Sequence, residues 1–86
     1  MSGYVIDTAA LTRLTNDFKY HAPFGDQADR YEAIRGWAGS FASFLMTRCP
    51  PSRELSLALT NLDQVVFWAN ASIARNEKEE QQPDTV

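Results

Sequence analysis

The chain has one cysteine, Cys49, and one histidine, His21. A lone cysteine excludes an intramolecular disulfide and any cysteine-based zinc site. No Asp, Glu, His or Cys stands at ligand spacing around His21, so no metal is expected. Nucleophilic catalysis lacks its parts too. Cys49 abuts Pro50 where a helix should end, and no second histidine is present to activate a nucleophile. Enzymatic activity and a cofactor are therefore not expected. No apolar run reaches the roughly 18 residues that a membrane span needs, and no signal peptide is evident. The sequence reads as soluble and intracellular, without a membrane partner.

Excess positive charge is also missing. The net charge is −3 and the pI near 4.9, which argues against a general nucleic-acid binder. The charge is uneven. Residues 1–53 carry six cations and five acids, whereas residues 54–86 carry two cations and six acids. A small anion can find a local basic site, while a long polyanion meets repulsion nearby.

At 86 residues the chain suits one domain and buries a modest fraction of its surface. Yet it holds two Trp, three Tyr and five Phe. Either the core is unusually aromatic, or some rings face a partner or ligand.

Three helices are expected, giving an all-α fold. The first runs from about Asp7 to Asn16, with Asp7 or Thr8 accepting from the free N–H groups at its start. Ile6, Ala10 and Leu14 share one face. An elbow follows from Phe18 to Gly25. Pro23 disfavours helical geometry at Ala22, and Gly25 permits a bend. Asp26 is the expected N-cap of the second helix, with Asp29 in its first turn.

The second helix is expected over Gln27 to Arg48. Its apolar residues Tyr31, Ile34, Ala38, Phe41 and Leu45 step by threes and fours, a coiled-coil-like seam. Gly36 and Gly39 cost roughly 1 kcal/mol each against Ala inside a helix, and close approach of another helix is the expected reason. Pro50 and Pro51 force a reversal. Ser52 caps a third helix from Arg53 to about Arg75, with Glu54 in its first turn. Leu55, Leu59, Leu62, Val66, Ala69 and Ile73 repeat the same stepping, the cleanest signal in the chain. Residues 1–78 read as one helical-hairpin domain, and residues 79–86 as a flexible acidic tail.

Two seams joined by a proline turn make an antiparallel hairpin. Apolar residues also stand off the seam: Trp37, Phe44, Leu57, Val65 and Trp68. An isolated hairpin would expose them as a patch, so a homo-oligomer is expected.

Several residues admit two readings. Tyr20 and Phe24 either plug the open end of the hairpin or offer a stacking platform for a base. Arg30 and Arg35 flank the seam and are either solvated charges or forks for phosphate. His21 reads as a polar contact within the elbow. Asn70 either sets the register or meets a ligand. Arg75 either complements the negative helix end or meets a ligand.

The stretches "FKYHAPFGDQADRYEAIR" and "PPSRELSLALTNLDQVVFWANASIARNE" resemble a known family, over roughly Phe18 to Glu77. These are small bacteriophage proteins that sequester the cyclic oligonucleotide messengers of CBASS immunity. Related sponges share the hairpin and capture cyclic ADP-ribose messengers of Thoeris immunity. The resemblance implies a helical homohexamer that holds cyclic nucleotides without cutting them, in the cytoplasm of an infected bacterium. It implies a cyclic dinucleotide between protomers, stacked on Tyr20 and held by Arg35, with Arg30 and His21 as further candidates. It implies a cyclic trinucleotide on a three-fold axis, with Arg75 as the cation. The run "WAGSFA" after Arg35 departs from the more charged helix expected there. A two-fold dimer would present each ring and arginine twice to a ligand with two bases and two phosphates. A sponge for a cyclic ADP-ribose-type messenger and a helical protein-interaction module are the alternatives.

Overall fold

The computed structural model describes residues 3–79. It holds three helices, α1 (Thr8–Asp17), α2 (Gln27–Arg48) and α3 (Arg53–Asn76), and no strand among the described residues. The expected acidic tail lies almost wholly outside those residues. No helix among the described residues is long and apolar enough to cross a membrane.

Local chemistry sets the helix ends. Asp7 caps α1, its Oδ1 accepting from the Ala10 N–H at 2.7 Å. Ser52 caps α3 in the same way, its Oγ accepting from the Leu55 N–H at 3.1 Å. α2 starts differently. Gly25 turns the chain with φ of 57°, a conformation glycine adopts without steric cost. Asp26 follows with φ −94° and ψ 13° and makes no side-chain cap. An N-cap works from extended backbone, and Asp26 is already bent toward the helix. Its carboxylate accepts from Arg30 Nε at 3.0 Å instead. The expected capping role of Asp26 is thus replaced by a pair one turn along. At the other end, Cys49 is extended, its N–H still bonded to Leu45 O at 2.9 Å. That geometry suits the residue before a proline.

α2 and α3 pack as a hairpin. Tyr31, Ile34, Ala38 and Leu45 are half-buried, as are Leu55, Leu59, Leu62, Val66, Ala69 and Ile73. Phe41 departs from the expected seam. It is 51% exposed, and Ala42 takes the inward place. Phe41 stacks instead with Phe44, ring centroids 6.4 Å apart, and Arg48 sits 4.9 Å over the Phe44 ring. Within the protomer, α3 is not the helix expected to approach Gly36 and Gly39. A Cβ at either would meet nothing within 4 Å.

The hairpin has no interior. No apolar side chain among the described residues is buried. The radius of gyration is 17.9 Å, against about 12 Å for a compact chain of this length. The backbone extends 53 by 49 by 14 Å, a flat shape. Two open grooves flank the seam. The larger, about 550 Å³, includes Arg35, Gly39, Asp63 and Phe67. The other, about 520 Å³, is lined by Trp37, Phe41, Val65 and other apolar or small residues. α1 projects from the open end, with Leu11 and Leu14 exposed. Polar contacts tether its last turn: Asn16 Nδ2 donates to the Arg75 carbonyl at 2.9 Å, and Asp17 lies 3.7 Å from Arg75 Nε.

Candidate ligand site at the open end of the hairpin

The open end gathers the elbow, the start of α2 and the end of α3. Gln27 is its centre and, at 2% exposure, the one buried residue among those described. Its Oε1 accepts from the Phe24 N–H at 3.1 Å, and its Nε2 donates to Glu77 Oε1 at 3.1 Å. Arg30 closes on the same carboxylate as a fork, Nη1 to Oε2 at 2.7 Å and Nη2 to Oε1 at 2.6 Å. Paired parallel bonds of this kind fix geometry as well as charge. They hold the Glu77 carboxyl well below its ordinary range, at about 2, with Gln27 contributing after Arg30. The same pairing raises the Arg30 guanidinium.

On the elbow, the His21 ring donates from Nε2 to the Asn16 carbonyl, 2.8 Å away. Asn16 thus links the elbow to Arg75 through its own side chain. Beside His21 opens a recess of about 310 Å³ that also takes in Tyr31, Arg35 and Asn70. Burial pushes the Tyr31 phenol up, and the Glu77 charge adds to that. The Asn70 Oδ1 is buried without a hydrogen-bond partner. Such an atom carries a desolvation cost until a donor reaches it.

The expected site residues therefore separate. His21 and Arg35 line one recess. Tyr20 stands on the elbow surface, 82% exposed. Arg30 is placed in the Glu77 and Asp26 contacts rather than along that recess. Arg75 lines a separate recess of about 260 Å³ with Trp68 and Phe67, and pairs with Asp17. No group of residues suited to hold a metal occurs among the described residues.

Gln27, Glu77 and Tyr31 were not singled out for the site by sequence reasoning. A signal for the first two was present. Gln27 stands four residues before Tyr31, and Glu77 four after Ile73, so each continues its helix's seam by one step. A complementary amide and carboxylate at the same end of an antiparallel pair face each other.

The family model of the Acb2/Tad1 hairpin domain matches residues 11–74. The match takes in most of α1, the elbow, all of α2 and nearly all of α3. Comparisons with curated proteins and with solved structures gave no match. The chain belongs to the Acb2/Tad1 hairpin family of anti-CBASS and anti-Thoeris sponges, a membership that implies sponge-like binding of cyclic nucleotide messengers.

Proposed function

We propose that this protein is a non-catalytic sponge that binds and sequesters cyclic di- and trinucleotide messengers, so that CBASS effectors stay inactive during phage infection. It would act in the cytoplasm of the infected bacterium. The observation that carries this reading is the recess lined by His21, Tyr31, Arg35 and Asn70, reached by an elbow on which the Tyr20 ring, next in sequence to His21, stands exposed. A cation lining a recess and an exposed aromatic face match a phosphate and a base plane. Tyr20 would stack the base and Arg35 would hold the phosphate of a cyclic dinucleotide, with His21 at its edge. Arg30 would act through Glu77 rather than on the ligand. Arg75, beside Trp68, would serve the trinucleotide.

Self-association belongs to the same proposal. A protomer with no buried apolar side chain among its described residues, and with Trp37, Phe41 and Val65 around one groove, exposes what a partner copy would cover. A hexamer would multiply each cation by symmetry, which lets an acidic chain hold a small polyanion. Long nucleic acid and membranes are not its expected partners.

The test is titration of the purified protein with cyclic dinucleotides and cyclic trinucleotides, followed by digestion and recovery of the ligand. Saturable binding with intact ligand supports a sponge, whereas linear product would make the protein an enzyme. The second reading, a sponge for a cyclic ADP-ribose-type messenger, has a specific basis because the matched hairpin is common to both branches. Adding that ligand to the panel separates the two. A protein that binds none of these ligands would instead be a helical interaction module.

A further inference from the structure

We infer that Gln27 is a positioning residue for ligand capture: with Glu77 and Arg30 it latches the elbow onto the end of α3, holding the loop that presents Tyr20 to the ligand. The role rests on the sponge reading of the elbow, while the latch itself stands on geometry.

The elbow has little else to hold it. Tyr20, Phe18 and Pro23 are exposed, and no apolar core lies beneath them. Two side-chain contacts add to the backbone bonds at the segment's ends, which run from the Lys19 N–H to the Asn16 carbonyl and from the Gln27 N–H to the Phe24 carbonyl. His21 bonds to the Asn16 carbonyl on the α1 side, and the Phe24 N–H bonds to Gln27 on the α2 side. The second anchor is reinforced from behind. The Gln27 amide cannot rotate freely, because Nε2 is engaged by Glu77, and Glu77 is fixed by the Arg30 fork. The chain of bonds therefore runs from the elbow backbone through α2 to the residue that ends α3. Glutamine suits the position because it accepts on one side and donates on the other. A loop held before binding spares the ligand part of the ordering cost, which appears as affinity.

The test uses the full chain, with cyclic di-adenylate as probe. Gln27→Met keeps the length and removes both bonds. The expected result is faster hydrogen exchange at the Phe24 amide and faster dissociation of the probe, each on the order of tenfold. Amides in the middle of α3, such as that of Leu62, are expected to exchange as in wild type, which general loss of folding would not allow. Unchanged exchange in Gln27→Met would overturn the latch. Faster exchange with unchanged dissociation would overturn its role in positioning, and an equal rise in exchange along α3 would overturn a local latch. If the wild-type protein binds no cyclic nucleotide, the sponge reading and the positioning role fall together, while the Phe24 amide still reports the latch.

Discussion

The shaft of the hairpin and its open end solve opposite problems. Along the shaft, α2 and α3 meet through half-buried apolar residues and leave an open groove on each side, one of them lined by apolar and small residues alone. At the open end, Gln27, Arg30, Glu77, His21 and Asn16 satisfy one another through directed bonds within a single protomer. Within the protomer the shaft leaves apolar surface uncovered, whereas the end satisfies its own polar groups. The difference suggests a division of labour. Non-directional apolar surface suits assembly, and a pre-set polar end suits recognition of a small polar ligand.

The largest expected effect comes from breaking the shaft. Val65→Glu places a charge in the apolar groove and should convert an assembly into poorly folded monomers, read by sedimentation and by loss of a cooperative melt. If that variant keeps the assembly, the groove is not the interface. Next comes the end. Tyr20→Ala removes a stacking platform worth roughly 1–3 kcal/mol per base and should abolish measurable dinucleotide binding, while Arg75→Ala spares it. Equal losses in a parallel titration would contradict two separate sites.

Acid should weaken the end selectively. The folded Glu77 carboxyl is held at about 2, against 4.5 for the ordinary group. Its contribution is complete above the unfolded value and is lost as pH falls through the folded one. Melting temperature should therefore drop between pH 4.5 and 2 more steeply in the wild type than in Glu77→Gln. Matching slopes would argue against the Arg30–Glu77 fork in solution. The smallest effect concerns Gly36. Alanine there gains up to about 1 kcal/mol of helix propensity and meets nothing in the protomer. A modest rise in melting temperature is expected, and a fall would place another helix against that position.

Much of the shaft was legible in the sequence. The three- and four-residue stepping from Leu55 to Ile73 survives as a half-buried stripe, and Asp7 and Ser52 cap where their side chains predict. Phe41 was misplaced because the seam needs only a small side chain there, and Ala42 supplies one. Asp26 stands at the N-cap position as expected, but a capping residue type does not reveal the φ and ψ at that position, which here leave its side chain without a capping bond. The end was less legible. Arg30 looked like a cation for phosphate because nothing in its own helix shows that Glu77 returns to meet it. Residues 47 positions apart become neighbours only once the hairpin closes. Asn70 was ambiguous for the same reason, since its unpartnered oxygen is a property of the packed pair.

The most direct test of the account is an equilibrium titration with cyclic di-adenylate, cyclic tri-adenylate and cyclic ADP-ribose, with the protein digested afterward and the ligand recovered. The account predicts saturable binding of the cyclic oligonucleotides and their return intact. No binding to any of the three, or recovery of linear product, would contradict it.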